Sequence, residues 1–508
     1  MTELPSQCWS RLDGLRSPLM TRTERLAALT LPHVCLPIGF NHESTAITVD
    51  STSIGPRAVT HLINKLGLTL FRPGVPFFRL SPDKEALAQI RAAGQDEKDL
   101  AGELNSIELD AVKELDRSGQ RPKLTQILEH LVVAGNVLMC IEKEYIRCIG
   151  LRNWVVKRNY KGEVIKLIIR EEICSDELDE KVIAAMNNVH PGFADYPDRK
   201  VCWYKVIIKD GKYYKLTQHI DDYQLPAEFD GRWPLEKCPY RVATWLLPDN
   251  SDYGIPPTQT YWADLEAASA LSEGVVDGGI LALEMRWGVD PTGMTTADDL
   301  NKSKNGDFVN ARKDDINPIF GGNSQAIAAG DSIYQRIERN IAAGFLMQSA
   351  VTRNAERVTA EEVRMQAMEL ETAYGGSYTS IAKDVQDPIA NWCLDRSGNR
   401  LEGSGLQATV ITGLDALTRN AELESLRAAF SDLQMTQTLP IPLQQRIKWN
   451  PLAAFVGAGR GVSLAPFIMN DAEYGKALQQ SQQSRVAEQN AAAMGQESAK
   501  AMNQPQGQ

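Results

Sequence analysis

Two arginines, Arg353 and Arg357, sit in VTRNAERVTAEEVR, directly before a helix-start signature. A guanidinium carries several N–H donors in a planar fork that fits carboxylate or phosphate oxygens. On a loop, such a pair can form salt bridges, to a neighbouring copy or to Glu356 and Glu361, or can touch a phosphate backbone in passing. Thr359 can accept from the N–H three residues on, and Glu362 can reach back to the N–H of Thr359, a reciprocal capping box. Val363, Ala367, Leu370 and Tyr374 then recur at helical spacing, whereas 348–357 have no such period. Arg353, Asn354 and Arg357 are therefore expected on a loop aimed by a firmly started helix.

A second charged pattern lies upstream. Glu266, Glu273, Asp277 and Glu284 fall at offsets that, at about 100° per residue, point within roughly 20° of one direction. This acidic stripe is either a solvated face or the lining of something negatively charged. VGAGRGVS, with Gly457, Gly459 and Gly461, lacks both a GxxxxGK[ST] pattern and a strand-turn-helix setting, and reads as a plain loop. The six histidines have no metal-ligand spacing, and no G-x-S-x-G elbow occurs. Eight cysteines without a CxxC pair read as reduced, buried small hydrophobes. No catalytic residue, metal or cofactor is expected.

The elements that must carry these residues follow from length and pattern. The 508 residues suffice for roughly three globular units. With 43% hydrophobic and 23% charged residues, composition excludes a fibrous or wholly disordered chain. The longest apolar stretch, 131–141, is far short of the roughly 18–20 residues that span a bilayer, and the N-terminus has no signal-peptide h-region. Synthesis in the cytoplasm, without a membrane partner, is expected. A net charge of −11 argues against an extended DNA-gripping groove, although an acidic wall lets DNA slide by repelling it.

Along the chain, 1–30, 57–70, 83–117 and 122–140 read as helical. From 142 to 245 the pattern is β-rich, with turns at Lys161–Gly162 and Asp210–Gly211 and a short helix in SDELDEKVIAAMNNV. Helical periodicity returns over 262–287. Residues 288–325 form a strand-and-loop insertion, and Ile333, Ile337, Ile341 and Phe345 mark an apolar ridge on the next helix, read as core, although an interface between neighbouring subunits would show the same pattern. A long helix is expected over 359–395, with a kink at Gly375–Gly376. Residues 406–470 are mixed, and 479–508 are too poor in apolar residues to pack. The fold class is α+β, predominantly helical.

LVVAGNVL (131–138), NGDFV (305–309), ERVTAEEVR (356–364), ELETAYGGSY (369–378) and TGLDAL (412–417) give the chain a resemblance to the portal, or head-to-tail connector, proteins of short-tailed, Autographivirus-type bacteriophages. The resemblance implies a ring of twelve copies around a DNA channel. It implies an N-terminal wing and body over 1–258 (helical 1–141, β-rich 142–245), a first stem helix over 259–287 and a clip over 288–325. A second stem helix over 326–346, a channel loop over 347–358 and a long wing helix over 359–395 follow. Residues 396–470 would be the wing and crown base, and 471–508 the crown tail.

Under that resemblance Arg353, Asn354 and Arg357 reach the channel, with Thr359 and Glu362 as the cap that positions them. The four acids line the bore, and the isoleucine ridge with Phe345 packs the stem. Partners would be further copies of the chain, double-stranded DNA, the terminase, the tail adaptor, the major capsid protein and the scaffold, at one vertex of a virion assembled in the host cytoplasm. Where relatives are expected to carry Thr–Gly, this chain has Asn354–Ala355, which stiffens the loop. Two other classes compete with this reading: a nucleic-acid-processing enzyme subunit, for which no catalytic motif is present, and a minor capsid or internal virion protein without a channel.

Overall fold

The computed structural model describes residues 3–37, 40, 45–47, 50–82, 97–193, 198–283, 285–320, 324–347, 360–398 and 406–410, with short pieces at 431–434, 451–452 and 455–456. The chain divides into two units, Met1–Gly413 and Leu414–Gln508, and the described pieces of the second are short and helical.

The first unit opens with helices. α1 (Pro5–Leu15) and α2 (Ser17–Leu29) each carry a proline in the first turn, where a missing N–H costs nothing. Arg16 lies between them with its guanidinium buried. It donates to the carbonyls of Leu151 and Trp154, both at 2.6 Å, and lies over the rings of Trp9 and Tyr253. α3 (Ile54–Leu70) is buried along most of one face, in the same core as Phe78 of β1 (Phe78–Pro82). α4 (Glu97–Arg117) and α5 (Arg121–Ala134) follow.

The apolar stretch read as helical over 122–140 is in fact two elements. Gly135, at φ +71°, ends α5 in the left-handed region that favours glycine. NVLMCI then runs as strand β2 (Asn136–Ile141). β2 sits between β3 (Ile146–Ile149) and a later strand, Tyr240–Thr244, in an antiparallel three-stranded sheet. β4 (Trp154–Arg158), β5 (Val164–Cys174), β6 (Lys200–Asp210), β7 (Tyr213–Ile220) and β8 (Tyr223–Gln224) form a second antiparallel sheet, with β9 (Gly231–Pro234) also pairing β7. The expected turns are present, with Gly162 and Gly211 at positive φ.

This larger sheet is covered on both faces, which is why LII in β5 lacks polar alternation. Leu167 and Ile169 join the main core, while Ile168 packs with Val155 and Val206 against Cys8, Trp9 and Leu12 of α1. α6 (Glu180–Val189) closes a smaller cluster through Val182 and Met186. β10 (Tyr240–Thr244) completes the three-stranded sheet.

Two helices then form a hairpin: α7 (Trp262–Leu283) and α8 (Ser324–Gly344), linked through strands β11 (Met285–Val289) and β12 (Ile316–Phe320). The first of them is shorter than the 259–287 expected, because Met285–Val289 leaves the helix and pairs with β12. α9 (Ala360–Ile381) runs as one uninterrupted helix through Gly375 and Gly376, where a kink is expected. The irregularity comes at Ala382–Gln386, a π-helical turn before α10 (Asp387–Arg396). Pro388 accounts for it. Having no N–H, it cannot bond the carbonyl of Asp384, and the turn widens. β13 (Leu406–Val410) pairs antiparallel with β1. All eight cysteines are free, and Cys8, Cys35, Cys140, Cys238 and Cys393 are buried.

One ion cluster ties the two sheets together. Glu171 of β5 accepts from Lys205 of β6 at 2.9 Å and from Arg147 of β3. Burial alone would raise the Glu171 pKa, but the two cations outweigh it and hold the carboxyl below its usual range. A carboxylate with a depressed folded-state pKa contributes stability above its unfolded value and loses it as pH falls through the folded one. Glu171→Gln is expected to cost about 2 kcal/mol at pH 7. In urea unfolding at a series of pH values, the gap between variant and parent should close as pH drops below the ordinary glutamate range.

Candidate functional site

The hairpin of α7 and α8 begins where two glycines let backbones touch. A Cβ on Gly135 would lie 2.6 Å from the nitrogen of Pro256, and one on Gly254 would lie 2.8 Å from the carbonyl oxygen of Gly135. Fully buried Asn136 uses this proximity. Its Nδ2 donates to the carbonyls of Ala134 and Gly254, both at 3.0 Å, and its Oδ1 accepts from the N–H of Gly254 at 2.7 Å. Thr258 adds bonds to the carbonyls of Val132 and Val133 at 3.2 Å. LVVAGNVL is therefore the socket in which the segment leading to α7 is seated.

Beyond the socket, α7 and α8 run antiparallel in a close register. A Cβ on Gly344 would fall 2.3 Å from the Tyr261 ring, one on Gly330 3.2 Å from Val275, and one on Gly278 3.3 Å from Ile327. From 261 to 275 on one helix the partner steps back from 344 to 330, and from 275 to 278 it steps from 330 to 327. Equal steps mean one continuous seam of small residues against larger ones.

Burial along the hairpin falls steeply. Near its root, Ile341 and Phe345 are fully buried, the Tyr261 and Phe345 rings lie 5.1 Å apart, and Tyr374 donates to the carbonyl of Gly344 at 2.7 Å. Ser269 donates to Asp50 at 2.5 Å, Ser272 to the carbonyl of Ser51 at 3.2 Å, and Thr52 bonds Tyr334 at 2.8 Å. Ile337 is half-buried, and Ile333 is 40% exposed, so the ridge read as core is core only at its lower end. The reason is geometric, since a two-helix hairpin offers each ridge one neighbour.

The acidic stripe is graded as well. Glu266 is paired with Arg25 of α2 at 3.0 Å, and the hydrogen bond from that guanidinium lowers its pKa. Glu273 and Asp277 are exposed, and Glu284 lies outside the described residues.

At the far end a single carboxylate organises the insertion. Asp315, itself buried, accepts through Oδ2 from the N–H of Met294 at 3.1 Å, the N–H of Thr295 at 3.3 Å and the Thr295 hydroxyl at 2.9 Å. Thr295 Oγ1 in turn accepts from the N–H of Arg312 at 2.9 Å. A Cβ at Gly293 would stand 2.5 Å from the Asp315 carboxyl carbon, so glycine is required there. Around this knot Trp287, Met294 and Phe308 are exposed.

Arg353, Asn354, Arg357 and Thr359 lie outside the described residues; Glu362 falls in α9, but its side chain lies outside them too. Both flanks of that segment are held by one face of α3. His61 Nε2 donates to the carbonyl of Leu346 at 3.2 Å. Lys65, one turn on from His61, pairs with Glu369 of α9. Leu346 itself turns left-handed at φ +58°. Sequence reasoning missed Asn136, Asp315, His61 and Lys65. Only for Asn136 was there a signal, a polar residue inside an apolar run.

The family described as "Bacteriophage head to tail connecting protein" matches residues 3–464. The portal protein of Enterobacteria phage SP6 is 28% identical over 479 residues, covering 94% of this chain and 92% of its own length. That of Enterobacteria phage T3 is 26% identical, covering 96% and 92%, and that of Escherichia phage T7 is 27% identical, covering 82% and 80%. Among solved structures, a chain from the neck of an empty GTA particle aligns at 12% identity with a TM-score of 0.39, covering 81% of this chain and 90% of its own.

Two substitutions test the geometry. Asn136→Ala strands buried groups on Gly254 and is expected to cost roughly 2–4 kcal/mol, read from chemical unfolding. Asp315→Ala removes acceptors from three donors; the amides of Met294 and Thr295 should exchange about tenfold or more faster with solvent deuterium, while exchange in α3 stays unchanged.

Proposed function

Since this chain belongs to the bacteriophage head-to-tail connecting proteins, we propose that twelve copies of it close into a ring whose bore passes double-stranded DNA into the capsid and out again. The observation that carries the reading is the hairpin, a pair of helices rooted in a buried socket and bare over its outer half. Such a face is stable in water when a neighbour covers it. Heterologous contacts between identical subunits close into a ring when the rotation closes.

In this ring Asp277 turns towards the bore and keeps phosphates from settling, a passive electrostatic role, with Glu273 at the edge between the bore and the neighbouring copy. Arg353 and Arg357 supply brief contacts near the axis, with Asn354 between them and the cap of Thr359 and Glu362 setting their direction. Both flanks of this segment are held on α3 by His61 and Lys65, which supports a loop whose base is fixed. The insertion between β11 and β12, with Met294 and Phe308 exposed and Trp287 exposed beside it on β11, is suited to meet the terminase during packaging and the tail adaptor afterwards. The β-rich body faces the major capsid protein and the scaffold at the vertex.

Negative-stain images of the purified chain should show rings with a central hole. The double variant Arg353→Ala/Arg357→Ala should still form them, with a lower yield of packaged DNA. Its DNA binding should depend less steeply on log salt, the slope shrinking by about 0.9 for each phosphate no longer neutralised. Globules without a hole would overturn the ring, and an unchanged salt slope would remove the arginines from the channel.

A further inference from the structure

Leu265, Ser269, Ser272, Val276, Ile280 and Leu283 recur along α7 at intervals of three and four residues and so share one face. The body covers the first half of that face: Leu265 is in the main core, Ser269 is bonded to Asp50 and Ser272 to Ser51. Beyond Ser272, among the described residues, nothing covers it. Val276 and Ile280 are each 56% exposed and Leu283 is 83% exposed. The face is not the seam with α8. Val275 and Gly278 make that seam. At the helical pitch, the bare stripe lies well round the helix from it.

Resting on the ring reading above, we infer that this stripe seats on the outward face of α8 in the next copy of the chain. That face is built to receive it. Ala329 and Ser332 are exposed and small enough for a close approach, and Ile333 is the ridge residue left bare. Charge agrees as well: the margin of the stripe carries exposed Glu273, and the α8 face carries exposed Arg336 and Arg339. Copies related by an axis along the hairpin keep their heights, so the internal register, in which 275 faces 330, brings Val276 level with Ala329 of the next copy. Glu273 stands level with Ser332, with Arg336 one turn away.

The test uses the full chain carrying Val276→Cys together with Ala329→Cys, oxidised mildly after assembly. The double variant should give a ladder of covalent multimers on a denaturing gel, and each single variant should give none. Val276→Glu/Ile280→Glu should fold with an unchanged thermal melt but assemble about tenfold or more weakly by native mass measurement, because it places charge in an apolar seam. If the parent chain forms rings, the double-cysteine chain gives no ladder and the glutamate variant assembles normally, the seam is overturned while the ring stands. If the parent chain is monomeric at every salt and concentration, the ring reading falls and takes the seam with it.

Discussion

The contact between Asn136 and the backbone of Gly254 governs how everything beyond it is placed. One fully buried amide side chain satisfies both backbone groups of a glycine and the last carbonyl of α5. The two glycines on either side allow the approach, since a methyl group at either would collide with backbone. A loose socket would let the hairpin swing, and a small swing at the root is magnified at the tip of a helix as long as α7. In a family that joins heads to tails, a defined direction for that hairpin is what the socket supplies.

The hairpin shows how one chain divides between folding and assembly. Its root is held by Tyr261, Phe345, Ser269, Ser272 and Thr52, and among the described residues its outer half keeps the internal seam of Val275, Gly278, Ile327 and Gly330. That seam fixes register without using the other faces. Those faces differ in chemistry by azimuth, with an apolar stripe on one side of α7 and exposed acids on another. A monomer in water has little use for three bare aliphatic side chains in a row.

Much of this was legible in the sequence because periodicity reports burial. The β-rich middle, the glycine turns and the helical hairpin followed from local pattern, and the capping motif and its neighbours pointed to the family. The failures have identifiable causes. The apolar run 131–141 hid a helix-to-strand change because both elements are buried, and only Gly135 marks it. Gly375–Gly376 does not interrupt the helix, whereas Pro388 further along does distort the turn before it. Ile333 looked like its ridge partners because exposure depends on what lies opposite, which no single helix encodes. Asp315, His61 and Lys65 act on residues distant in the chain, beyond any local signal.

The π turn at Ala382–Gln386 has one more effect. A wide turn holds an extra residue, so the helical phase resets there, and the stretch before it and the stretch after it can each point apolar side chains inward without sharing one repeat. Leu370 and Ile381 on one side, and Ile389 and Cys393 on the other, are all fully buried. The two halves of this long element are thus free to evolve as separate rods, the first tuned to the segment at its start and the second to the sheets it covers.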